Sequence, residues 1–112
     1  MTYRVKALRK AEADVRSIAR YIYKYSPQGA AEWLNAYRGA RTRLAQNADS
    51  CAAAEESGSF TIDVKQAFFK TRRGRPYRLL FTIVGEDVRI LRVRCPGQAP
   101  VTPEELRSSD AE

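Results

Sequence analysis

Residues 2–8 alternate, with Tyr3, Val5 and Ala7 on one side and Arg4, Lys6 and Leu8 on the other, which is the period of a short strand. At Ala11 the period changes. Ala11, Val15, Ile18, Ile22 and Tyr25 recur at steps of four and three, while Glu12, Asp14, Arg16, Arg20 and Lys24 fall on other faces, so an amphipathic helix is predicted. Ser26-Pro27 ends it and begins another. A serine side chain can accept from the exposed N–H groups of a new helix, and a proline in the first turn has no intrahelical N–H bond to lose. The second helix is expected to bury Ala30, Trp33, Leu34, Tyr37 and Leu44 and to leave Arg38, Arg41 and Arg43 mostly outside. With almost no linker between them, the two helices form an antiparallel hairpin.

Residues 48–59, ADSCAAAEESGS, are small, polar and acidic and read as a connecting loop, with the run of three alanines able instead to extend a helix. Three strands follow, over residues 67–72, 77–84 and 88–94. Gly85-Glu86-Asp87 joins the last two in a tight antiparallel hairpin. The tail, residues 96–112, holds Pro96, Pro100 and Pro103 and is expected to be irregular, with at most a helical turn at 102–106, where Thr102 and Pro103 resemble a cap and first position. The order β-α-α-β-β-β describes one α+β domain, its core over about residues 3–95, in which a helix hairpin covers one face of a small antiparallel sheet.

On that plan the other sheet face stands open. Leu79, Phe81 and Ile83 share the side that meets the helices, which turns Arg78, Leu80, Thr82 and Val84 away. In the last strand the more apolar choice puts Leu91 and Val93 inward and Arg92 and Arg94 outward. Phe69 likewise faces in and Lys70 out. Alternation therefore gathers Lys70, Arg78, Arg92 and Arg94 on the open face, flanked by Arg72, Arg73 and Arg75 in a loop.

Charge strengthens this picture. The formal net charge is +7, and between residues 65 and 94 nine Lys or Arg meet only Glu86 and Asp87, while the rest of the chain carries eleven of each sign. A field confined to one segment suits an anionic partner, through guanidinium forks that match phosphate oxygens or as a docking face for an acidic peptide. Arginines coating an open sheet are also ordinary solvated surface.

The remaining chemistry is sparse. With no histidine and two cysteines, Cys51 and Cys95, far apart in sequence, a zinc site, an imidazole triad and any cofactor are not expected, and the thiols are expected reduced. No membrane span or signal peptide is read, so the chain is expected in the cytoplasm. Arginines are poor bases, which leaves Lys70, Tyr77, Glu86 and Asp87 for proton transfer. Tyr77 is turned inward by alternation, and the two acids belong to a turn. Trp33, Tyr37, Tyr21, Tyr23 and Tyr25 cluster around the helix hairpin as core or interface aromatics.

The stretch AEADVRSIARYIYKYSPQGAAEWLNAYRGARTRL followed by YRLLFTIVGEDVRILRVR resembles the RelE/ParE superfamily of bacterial type II toxins, the plasmid stabilisation proteins, from Tyr3 to about Arg94. The resemblance implies the same fold and a cognate antitoxin whose acidic C-terminal segment wraps the toxin in a hetero-oligomer. RelE-like members cut mRNA on the ribosome with sheet cations, and Lys70, Arg72, Arg78 and Arg92 occupy comparable strands. Such members commonly carry an aromatic or histidine after the last strand, where this chain continues Cys95-Pro-Gly-Gln-Ala-Pro100. The ParE-like branch, which poisons DNA gyrase, is the closer match. A remnant that keeps only antitoxin binding is a third reading. Lys70, Arg72, Arg73, Arg78, Arg92 and Arg94 are the candidate residues for binding antitoxin or target.

Overall fold

The computed structural model describes residues 2–105. Strand β1 is Arg4–Ala7, helices α1 and α2 are Arg9–Tyr25 and Pro27–Asn47, and strands β2, β3 and β4 are Lys65–Phe69, Tyr77–Val84 and Asp87–Arg94. Two 3-10 turns, Ala48–Ser50 and Glu55–Ser59, break the connection between α2 and β2. No helix among the described residues is long and apolar enough to cross a membrane.

The expected element order holds. The Ser26 side chain accepts from the Gly29 N–H at 2.9 Å and Pro27 opens α2, so one residue closes one helix and caps the next. Along α2 the buried residues Ala30, Trp33, Tyr37, Ala40 and Leu44 recur at steps of three and four, forming the stripe that meets α1 and the sheet. Leu34, expected inward, is only half-buried. Tyr25 departs further: it is the last residue of α1 and 76% exposed, and its ring meets that of Tyr21, four residues earlier, edge-on at 5.4 Å.

The sheet order is β1-β4-β3-β2. β2, β3 and β4 are antiparallel neighbours, but β1 runs parallel to β4, from Arg4 opposite Asp87 to Ala7 opposite Ile90. The sheet is therefore mixed. The helix hairpin, the connection after it and strands β2 and β3 separate β1 from β4 in sequence, a connection long enough for a parallel pair. Lys70 lies just past the end of β2, which stops at Phe69.

Trp33 anchors the core between helices and sheet. Its ring stacks on Tyr37 and meets Phe69 and Tyr77 at 5.5 and 5.4 Å, while Phe69 and Tyr77 stack on each other. Leu79, Phe81, Val88, Ile90 and Val93 complete this side. Tyr77 thus faces inward, as alternation predicts.

Leu91 does not. Opposite β3 the register slips, with Leu80 facing Arg92 and Phe81 facing Ile90, so Leu91 is the extra residue of a bulge. Ile90 and Val93 both turn to the helices and Leu91 turns away. There it joins Leu80, Ala54, Val64 and Val101 in a second buried cluster. The expected open face is accordingly closed. The connection before β2 and the segment after β4 lie over it, so the sheet is covered on both sides. Within that segment Val101 is 3% exposed, and residues 103–105 form a helical turn. Thr102 Oγ1 accepts from the Glu105 N–H while the Glu105 carboxylate accepts from the Thr102 N–H, a reciprocal cap. The part of the expected turn at Leu106, and the tail to residue 112, lie outside the described residues.

Candidate functional site

The three sheet arginines share the side away from the helices, as the period of two predicts, since Arg78 lies opposite Arg94 and Leu80 opposite Arg92. Their expected exposure is corrected. Alternation reports which face a side chain takes, and the covering comes from segments remote in sequence.

Arg78 meets Glu56 in a two-pronged pair, Nη1 donating to Oε1 at 2.8 Å and Nη2 to Oε2 at 2.7 Å, with Gln66 Oε1 at 3.2 Å as a further acceptor. The Arg78 side chain is 15% exposed and that of Glu56 not at all. Glu56 also accepts from the Val101 N–H at 3.1 Å, tying the second 3-10 turn to the C-terminal segment. Burial pushes the Glu56 carboxyl up, but the Arg78 guanidinium and the backbone N–H groups outweigh it and leave the group below its ordinary 4.5. The same pairing with Glu56 holds Arg78 above its ordinary value.

Arg92 is held in the same way by Asp14 of α1, Nε and Nη2 donating at 2.7 and 2.9 Å, and Asp14 caps the Val93 N–H at 2.9 Å as well. Arg94 is the most buried of the three. Its Nη2 donates to the Ala99 carbonyl, Nη1 lies 3.8 Å from Glu105, and its buried Nε has no hydrogen-bond partner among the described residues. Burial lowers its pKa; Glu105 opposes that, and the like charges of Arg92 and Arg78 add to it.

Lys70, Arg72 and Arg73 stand apart from this network. All are exposed, and so is Arg75 in the same loop. Lys70 Nζ reaches only the Thr71 and Arg72 carbonyls, at 3.5 and 3.4 Å. Among the described residues none of these cations has a carboxylate within salt-bridge distance. The candidate set therefore divides into arginines committed to internal acids and a loop whose charge is uncompensated.

Sequence reasoning identified the arginines and missed their partners. The Thr102–Glu105 spacing is a readable capping signal, but nothing local in the sequence marks Asp14 or Glu56, which lie 78 and 22 residues from the arginines they hold. The exposure of Tyr21 and Tyr25, at 63% and 76%, was likewise not legible. Cys51 and Cys95 are free thiols, half-buried, and no group of three or more His, Cys, Asp or Glu that could hold a metal occurs among the described residues.

A family model described as the ParE toxin of the type II toxin–antitoxin system, parDE, matches residues 5–100. Among solved structures, a chain of the chromosomal ParDE toxin–antitoxin system from P. aeruginosa superposes with a TM-score of 0.65. The two are 24% identical, over 83% of this chain and 95% of that one, a likeness of fold. No curated protein matches.

Proposed function

The chain belongs to the ParE toxin family of type II toxin–antitoxin systems, and from that premise we propose that it acts by poisoning DNA gyrase and is neutralised by a cognate antitoxin. One observation carries the choice of gyrase over messenger RNA: of the four cations comparable to those of a RelE-like ribonuclease, the two on the sheet, Arg78 and Arg92, are occupied, and only Lys70 and Arg72 stand exposed. Phosphodiester cleavage needs cationic groups free to meet developing negative charge, with a proton donor and acceptor beside them. Here Arg78 and Arg92 each spend two nitrogens on an internal carboxylate, and Arg94 is sealed under the C-terminal segment. The chain has no histidine. Tyr77, next to Arg78 in sequence, packs against Trp33 and Phe69 on the other side of the sheet, and burial raises its pKa. The site suits recognition better than bond cleavage.

Induced expression tests the proposal. The expected result is growth arrest with a DNA-damage response, inhibition of gyrase supercoiling or trapping of cleaved DNA by the purified protein, and rescue by the product of the neighbouring reading frame. Ribosome-dependent mRNA cuts with intact gyrase activity would overturn it in favour of the ribonuclease. Rescue-partner binding without any arrest would mark an antitoxin-binding remnant.

A further inference from the structure

Strand β4 ends in a tight reversal. Pro96 and Gly97 take the central positions of a turn in which the Gln98 N–H donates to the Cys95 carbonyl at 3.1 Å, and Gly97 has the positive φ, 76°, that the second central position of a type II turn requires. The chain is thereby sent back over the sheet face that carries Arg92 and Arg94. Val101 fixes it there, and the reciprocal Thr102–Glu105 cap closes a short helical turn beyond. Three cations converge on that turn. Lys10 Nζ, from the first turn of α1, donates to the Glu105 carbonyl at 3.0 Å, while the Glu105 carboxylate lies 3.7 Å from Arg92 Nη1 and 3.8 Å from Arg94 Nη1. Both ion pairs are too long for hydrogen bonds.

The sheet arginines are unequally matched. Arg78 and Arg92 each donate through two nitrogens to an acid of their own, Glu56 and Asp14. Arg94, whose side chain is 5% exposed, has one carbonyl and the distant Glu105 that it shares with Arg92. Its buried Nε donates to nothing among the described residues. A guanidinium taken out of water with a donor unmet and no close anion is costly to hold.

We propose that Lys10, Arg92 and Arg94 form a binding site for a compact phosphate, inorganic or at the end of a nucleotide, with the turn at 102–105 as its lid and the Glu105 carboxylate holding the place of the anion. A phosphate offers more acceptor oxygens than one carboxylate and suits guanidinium forks. Its entry displaces Glu105 alone: the cap moves with the turn that it closes, and Val101 and Glu56 keep their places in the fold. Once Glu105 is lifted, Asp14 still balances Arg92, whereas Lys10 and Arg94 have no other acid within salt-bridge distance among the described residues. A nucleic acid strand suits the place less. Arg92 and Arg94 are recessed, Asp14, Glu55 and Glu56 flank the face, and a polymer needs an open and continuous cationic track. The site does not depend on which target the toxin takes.

Isothermal titration of the intact protein with pyrophosphate, ADP, adenosine and single-stranded oligothymidine tests the site. One saturable site is expected for pyrophosphate and for ADP, with adenosine silent. Tighter binding of ADP assigns the site to a nucleotide and tighter binding of pyrophosphate to free phosphate, and either supports it. Glu105→Gln keeps the Thr102 cap, since glutamine serves in the same position, and removes the competing charge, so pyrophosphate should bind at least about fivefold more tightly. Lys10→Gln should weaken binding by about the same factor. Arg72→Gln with Arg75→Gln should leave it unchanged. Absence of saturable binding in both the unaltered protein and Glu105→Gln overturns the proposal, as does equal affinity of the two. Loss of binding in the Arg72 and Arg75 double variant overturns it and gives the phosphate to the loop. Oligothymidine that binds more tightly than pyrophosphate and is weakened by Lys10→Gln overturns it in favour of nucleic acid.

Discussion

Replacing Glu56 by glutamine removes, with little change of shape, the one fully buried carboxylate that holds Arg78 among the described residues. The Glu56 carboxylate is fully buried and takes both terminal nitrogens of Arg78 and the Val101 N–H. Breaking a buried pair from one side costs about 3–5 kcal/mol, because the remaining charge stays desolvated. Arg78 keeps Gln66 Oε1 at 3.2 Å and has Glu55 at 3.9 Å, and its side chain is 15% exposed, which softens the loss. The cost for Glu56→Gln is then about 3 kcal/mol, at the low end of that range. For a domain of this size Tm should fall by about 12 °C, at about 4 °C per kcal/mol. Urea unfolding followed by circular dichroism reads the free energy directly, with the slope against urea unchanged if only stability moves. Removing both charges, as Glu56→Leu with Arg78→Met, should recover most of the loss, since a well-packed apolar pair often matches a buried ion pair. A cost below about 1 kcal/mol for Glu56→Gln, the value of a surface pair, would refute the reasoning and mean that the sheet face is open in solution.

The same pair sets an acid limit: the folded pKa of Glu56 lies below 4.5, so its stabilisation is present above that pH and is lost as pH falls through the folded value. Thermal unfolding followed from neutral pH downward should show a steeper acid decline in the unaltered protein than in Glu56→Gln. Trp33→Ala removes a ring that is 2% exposed and touches three other aromatics, and should cost about 3–5 kcal/mol by urea unfolding. Ser26→Ala leaves the Gly29 N–H without its acceptor and should cost about 1 kcal/mol in the same assay. Burial raises the pKa of Cys51 and of Cys95, partly offset by Lys65 and Arg94, so both should react with iodoacetamide more slowly at neutral pH than a free cysteine does, as followed by mass spectrometry.

Where prediction and structure part, the cause is specific. Tyr25 fits the apolar spacing of α1, yet as the last residue of the helix it is exposed, because spacing alone does not say where the buried stripe ends. Leu91 fits the alternation of β4, yet one bulge residue reverses its side, because a period of two has no memory of an insertion. Arg78, Arg92 and Arg94 were placed on the right face and given the wrong surroundings. The exposure of Lys70, Arg72 and Arg73 was legible, since their charge needs no tertiary partner to be seen, but Lys70 was expected on the sheet face and lies past the end of β2 instead.

By itself the sequence determined what each stretch would become. The change from period two to steps of three and four, the Ser26-Pro27 boundary and the Gly85 turn all act through neighbours a few residues apart, and local chemistry suffices for them. Tertiary structure alone decided which cations remain available. Glu56 and Val101 come to Arg78, and Asp14 to Arg92, only when the connection, the C-terminal segment and α1 close on the sheet. Neutralising a buried charge depends on distance in space, and the formal charge of +7 cannot show that the sheet's part is already spent while the loop's is not.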